Sequence, residues 1–183
     1  MPIANPQDLF LHELCEIYDA EHRFLEGQQE MAQAATDEDL EGAIRNHITQ
    51  TEQHINNLEQ IFRNLGEEPR RETNEVAQGL VSEAQEGIQE SQNNEIRDCV
   101  INAGVVKVEH FEMGSYRSLV TGAQLMGQSE VANLLEANMH QEEETAQIAE
   151  SSTRELLQKA QQHPAEGEEQ GLIDKAKDKL TGE

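Results

Sequence analysis

The sequence predicts an all-α fold built on four long helices. Three observations carry this expectation. Four prolines among 183 residues, with abundant Glu, Gln and Ala, favour helix almost throughout. Apolar residues recur at helical spacing in four long segments. No segment alternates apolar and polar residues with the β-branched and aromatic bias of a strand. The length suits one domain with a single core. Aromatics are only 3 % and Trp is absent, so that core must be made of long aliphatic stripes.

The first helix is expected to start at Pro6, with Asn5 as its cap, and to fade by Thr36. Its stripe is Leu11, Leu14, Ile17, Tyr18, Phe24, Leu25 and Met31. Asp37 and Glu38 bring negative charge to the start of the second helix, where the helix dipole favours it. That helix carries Leu40, Ala43, Ile44, Ile48, Ile55, Leu58, Ile61, Phe62 and Leu65 and is capped by Gly66. A break at "GEEPRRETNE" precedes a weaker helix from about Glu72 to Glu90, which Asn93 and Asn94 end. The third long helix spans about Glu95 to Met126 and stops at Gly127. Ser129 is placed to cap the fourth, which carries Val131, Leu134, Leu135, Met139, Ile148, Leu156 and Leu157.

The short connections within each pair of long helices demand antiparallel neighbours. Between the pairs lie enough residues, including the minor helix, to cross the whole assembly. A four-helix bundle with one such crossover has ferritin-like topology. The bundle is assigned to residues 5–160, and residues 161–183 to a polar linker plus a short amphipathic segment, with Leu172, Ile173, Ala176 and Leu180 on one face, able to dock on a partner.

Each long helix interrupts its apolar stripe with a residue able to hold a metal. Glu21 shares a face with Leu14, Ile17, Tyr18 and Leu25, and His47 and His54 share one with Ile44, Thr51 and Leu58. In "VEHFEMGSY", Glu109 and Glu112 lie on the side of Val105, Val108 and Tyr116. Glu142 lies with Leu135, Met139 and Ala146, and Glu143 stands beside it. A buried carboxylate is costly unless a cation or hydrogen bonds hold it. Counted from the helix starts and at about 1.5 Å per residue, these side chains fall within roughly one turn of a common level. Carboxylates with imidazole suit iron, manganese or zinc, and four carboxylates balance two divalent ions. Tyr18, near Glu21, is a candidate to orient a ligand.

The segments "LFLHELCEIYDAEHRF", "HITQTEQHINNLEQIFRNLG", "KVEHFEMGSY" and "EEE" resemble the YciF-type ferritin-like proteins, in order over about residues 5–160. The resemblance implies kinship with rubrerythrin-like di-iron proteins, a homodimer, and a role in bacterial stress. It implies iron above manganese or zinc, and an oxidoreductase of ferroxidase, peroxidase or catalase type. On that pattern Glu21, His54, Glu109, Glu112 and Glu142 match ligand positions. Thr51 stands where the second helix should offer Glu, and Thr145, Ala146 and Gln147 stand where the fourth should offer His. His47, Gln50 and Glu143 are further candidates to complete the set. No catalytic residue is assigned. The alternative is a dimeric scaffold with a degenerate site.

A net charge of −24 repels nucleic acid and anionic membranes. No apolar run reaches the length of a membrane span, and "MPIANPQDLF" lacks a signal-peptide pattern. Cys15 and Cys99, far apart and outside any CxxC, are expected as buried thiols in a cytoplasmic protein.

Overall fold

The computed structural model describes residues 3–163. They form five α-helices and, among the described residues, no strand: α1 (Pro6–Ala34), α2 (Glu38–Leu65), α3 (Glu75–Glu90), α4 (Asn94–Leu125) and α5 (Ser129–Gln162). The C-terminal amphipathic segment lies outside the described residues.

Local chemistry fixes the helix ends. The Asn5 side chain accepts from the Asp8 amide, with Pro6 in the first turn. Asp37 accepts from the Leu40 amide. Gly66 closes α2 with φ of 74°, a conformation that costs glycine nothing. Three boundaries differ from the sequence expectation. Glu72 lies outside the helix, its amide donating to the Cys15 carbonyl, and α3 begins later, capped by Asn74. Asn93 does not end α3; it caps α4, accepting from the Ile96 amide. Ser129 is the first helical residue of α5 and not its cap, since the Gln128 carbonyl already accepts the Ala132 amide.

Hydrogen bonds between the ends show how the helices run. The α1–α2 turn meets the start of α4, where Asp98 accepts from the Thr36 amide (2.8 Å), the Thr36 hydroxyl (2.6 Å) and the Asp37 amide (3.0 Å). The end of α5 reaches the same place through Lys159, 2.7 Å from Asp37, and Asn93 donates to the His163 carbonyl. At the opposite end Gly122 of α4 lies against Phe10 of α1. Neighbouring long helices are therefore antiparallel. α2 ends far from where α4 begins, and α3 spans the distance, packed on α1 and α4.

Small residues let α3 lie close. Its buried side chains are Ala77 and Ala84. A Cβ on Gly104 would meet Ala84 and Met31 at 3.3 Å, and one on Gly87 would meet Val100 at 2.7 Å. The preceding loop is anchored by Asp19, which accepts from the Asn74 amide (2.9 Å), Arg23 (2.5 Å) and Arg71 (2.8 Å). Burial opposes ionisation of Asp19, but these donors outweigh it and hold its pKa below the usual carboxylate value.

The core has two apolar layers. One holds Leu14, Phe24, Leu58, Phe62, Tyr116 and Leu135; the other holds Met31, Ile44, Ile101, Val105, Ala149 and Leu156. Ile148 and Leu157, expected in the stripe of α5, are 52 % and 49 % exposed. Both cysteines are free; Cys15 is buried, but Cys99 is only half-buried.

Asp98 provides a test of the end where the long helices meet. Asp98→Ala strands two amides and a hydroxyl, so it should destabilise the fold by about 2 kcal/mol. For a chain of this size that lowers Tm by about 4–8 °C, read by circular dichroism.

Candidate metal centre

Between the two apolar layers lies a belt of buried polar side chains. Glu21 comes from α1, His47 and His54 from α2, Glu109 and Glu112 from α4, and Glu142 from α5. Each is at most 3 % exposed. The two histidines are two helical turns apart and so share a face; the two α4 glutamates are one turn apart.

The belt resolves into two groups. His47, Glu109, Glu112 and Glu142 form one; Glu21, His54 and Glu142 form the other. In each, one ligand-type atom per residue lies within 4.8 Å of all the others. Glu142 belongs to both and sits between the imidazoles. Its Oε1 is 2.9 Å from His54 Nδ1 and its Oε2 is 3.6 Å from His47 Nε2. His47 Nε2 is 3.1 Å from Glu109 Oε1, and His54 Nδ1 is 3.4 Å from Glu21 Oε1.

These approaches lack hydrogen-bond alignment. His47 Nε2, His54 Nδ1, both Glu142 oxygens, and one oxygen each of Glu21, Glu109 and Glu112 are buried without a hydrogen-bond partner. Buried polar atoms are almost always paired, so this many unpaired atoms facing one another make a group that could hold a cation. The donor set fits divalent transition metals.

A surrounding shell orients the inward atoms. His54 Nε2 lies 2.7 Å from Gln141 Oε1, which places a proton on Nε2 and turns Nδ1 toward the carboxylates. His47 Nδ1 lies 3.2 Å from Gln50 Oε1, leaving Nε2 inward. Thr145 Oγ1 lies 3.2 Å from the same Nδ1. Tyr116 donates to Glu21 through a short hydrogen bond. Asn138 donates to the Tyr116 oxygen (3.0 Å) and the His54 carbonyl (3.4 Å), and accepts from Asn57 (2.7 Å).

Proton affinities follow from this crowding. Burial alone would lower the His47 pKa, but the Glu109 and Glu142 carboxylates override it and raise it to about 9. His54 rises to about 11 for the same reason, through Glu21 and Glu142. Burial pushes Glu109 up to about 8, against the pull of His47. Glu112 rises well above the usual range, through its burial first and then the Glu142, Glu21 and Glu109 carboxylates. Glu142 alone is lowered, because two imidazoles overcome its burial. Without metal ions, Glu142 is thus the ionised carboxylate between two cationic rings.

The structure brings together Glu21, His54, Glu109, Glu112 and Glu142, and adds His47 to them. Gln50 lies behind His47 as its hydrogen-bond partner. Glu143 points away: it is partly exposed and 3.3 Å from Arg117. Thr51, at the position where a carboxylate was sought, donates to Gln28 Oε1 (3.0 Å). Tyr18 is not the residue that orients Glu21; its hydroxyl donates to Glu59 (3.2 Å). Tyr116 has that place. The sequence reading also missed Asn138, though it falls on the Leu135–Glu142 face three residues after Leu135, the same signal that marked Glu142.

A family model described as "Domain of unknown function (DUF892)" matches residues 5–162. Protein YciF of Escherichia coli (strain K12) is 32 % identical over 146 residues, covering 79 % of this chain and 88 % of the relative. The crystal structure of the E. coli stress protein YciF superimposes with a TM-score of 0.82 at 28 % identity, covering 86 % of this chain and 99 % of the other. YcfI of Rhodopseudomonas palustris superimposes with a TM-score of 0.79 at 30 % identity, covering 81 % and 94 %. The chain therefore belongs to the YciF-type, DUF892 family.

Proposed function

We propose that the four long helices form a ferritin-like bundle holding two divalent metal ions, iron or manganese, and that the protein works in bacterial stress as a Fe(II)-oxidising or peroxide-consuming centre. The observation that carries this reading is Glu142, shared by two imidazole-centred groups and unpaired on both oxygens. A carboxylate so placed would serve both groups, and the residues that would hold the ions with it are His47, Glu109 and Glu112 in one and Glu21 and His54 in the other. Four carboxylates balance two such ions in charge. Bound iron would supply electrons to an oxidant.

The chain's own groups set the terms. Tyr116 holds Glu21 in place, and Gln141 and Gln50 hold each imidazole with its inward nitrogen turned to the carboxylates, ready to give up its proton when an ion binds. The apolar layers above and below keep bulk water from the carboxylates. The protein is proposed to be cytoplasmic and to act as a homodimer. No helix among the described residues is long and apolar enough to cross a membrane.

Metal analysis after iron or manganese loading, without chelators, tests the centre. About two ions per chain are expected, and fewer than about 0.2 would overturn it. A second reading, a scaffold that binds ions without turnover, is favoured by Thr51 bonding to Gln28 in place of a seventh anionic or imidazole ligand. Full ion content with no Fe(II) oxidation and no peroxide loss would select it.

A further inference from the structure

A chain of hydrogen bonds runs from the surface of α2 to Glu21. Gln53, which is exposed, donates from Nε2 to Asn57 Oδ1 (2.9 Å). Asn57, half-buried one turn on, donates from Nδ2 to Asn138 Oδ1 (2.7 Å). Asn138 on α5 donates from Nδ2 to the Tyr116 oxygen (3.0 Å), and Tyr116 on α4 donates to Glu21 Oε1. Asn138, Tyr116 and Glu21 are each 0 % exposed, so their partners must come from the protein itself.

The direction of this chain is set at one point. Asn138 Nδ2 also faces the His54 carbonyl (3.4 Å), which can only accept. Turning the Asn138 amide over would set oxygen against oxygen there. Its nitrogen therefore faces His54 and Tyr116, and its oxygen faces Asn57. An amide nitrogen can only donate, so the Tyr116 oxygen accepts from it. The Tyr116 proton must then point at the other partner of that hydroxyl, Glu21 Oε1. The second Glu21 oxygen, Oε2, is buried and has no hydrogen-bond partner.

We propose that Asn138 is the positioning residue of the Glu21–His54–Glu142 group. By aiming the Tyr116 proton at Glu21 Oε1 it holds that carboxylate in one orientation and leaves Oε2 free for an ion. In the other group the outer partners Gln50 and Thr145 touch the His47 imidazole instead, so Asn138 governs one group and not both. Partners of this kind, one bond removed from a ligand, set metal affinity by fixing the ligand's orientation. The effect on ions rests on the metal reading proposed above; the direction of the Tyr116 proton does not.

Two measurements on the full-length protein test this. In the ion-free wild type, NMR should show the Asn138 side-chain amide protons slow to exchange, with stronger nuclear Overhauser contact to the Tyr116 ring than to the Asn57 side chain. The reverse order would overturn the proposal, and this result is read whether or not any variant folds. The second measurement is a double-mutant cycle followed by Mn(II) titration. Asn138→Asp puts an acceptor of the same size where the donor was, so the Tyr116 proton should leave Glu21. One of the two ions should then bind about tenfold or more weakly, with the other unchanged. Tyr116→Phe removes the link, and adding Asn138→Asp to it should weaken binding no further. Additive losses, or equal weakening of both ions, would overturn the positioning role, because a merely structural Asn138 acts without Tyr116. A wild type that takes up no Mn(II) sinks the metal centre, and the amide contacts then decide the Asn138 proposal alone.

Discussion

Glu142→Ala should empty both halves of the metal centre at once. Each of the other carboxylates serves one group, so losing it weakens one side first. Glu142 serves both, and its removal takes the anionic bridge from between His47 and His54. Ion content after iron loading should fall from about two per chain to a residual trace, with helical circular dichroism retained. The stabilisation supplied by bound ions should vanish with it. That contribution is about 2.7 kcal/mol when free metal stands at about a hundred times its dissociation constant. The double change Glu109→Ala with Glu112→Ala leaves the His47 group only Glu142, so it should empty that side and leave the Glu21–His54–Glu142 side its ion. Glu52→Ala is the control: Glu52 lies one position from Thr51 and is exposed, so ion content should not change. Retention of one ion per chain in Glu142→Ala would mean that the two groups bind independently, without a shared bridge.

The ion-free and metal-loaded proteins should respond to pH in opposite directions. In the ion-free fold Glu109 is raised to about 8, Glu112 well above its ordinary 4.5, His47 to about 9 and His54 to about 11. A raised value means that the fold binds these protons more tightly than the unfolded chain does. Their stabilising effect is complete below the unfolded values, near 4.5 for Glu and 6.5 for His, and is lost as pH climbs through the folded ones. The ion-free Tm should therefore fall from about pH 5 up to about pH 11. Glu142, lowered, works the other way and matters only on the acid side. Metal binding needs the same groups deprotonated, so affinity rises with pH and loading releases several protons. The difference in Tm between the two forms should widen steadily over this range in differential scanning fluorimetry. Parallel curves would show that the ions are not held by these carboxylates and imidazoles.

Much of the molecule was legible because the relevant signals are local. Asn5, Pro6, Asp37 and Gly66 act within one helical turn of where they stand, and each marks its end as the sequence suggested. The belt was legible through conflict: Glu21, His47, His54, Glu109, Glu112 and Glu142 each occupy a stripe position where an apolar residue belongs. What stayed hidden depends on partners distant in the chain. Asp98 is one acid among many until the α1–α2 turn is seen to rest on it, 61 and 62 residues away. Tyr18 and Tyr116 look alike as stripe aromatics. Only the rotation of α1 against α2 sends Tyr18 to Glu59, while Tyr116 crosses from α4 to Glu21.

The crossover helix fully buries only two alanines, with Leu80, Val81 and Ile88 packed partly buried against the core. Its place is fixed from the loop ahead of it, where Arg71 and the Asn74 amide converge on Asp19 and the Glu72 amide reaches the Cys15 carbonyl. Doubling a free loop adds only about 0.6 kcal/mol in closure, but residues inserted between Arg71 and Asn74 would break these bonds. Added length is therefore tolerated ahead of Arg71, toward the Gly66 turn, where it leaves the chemistry at mid-height undisturbed.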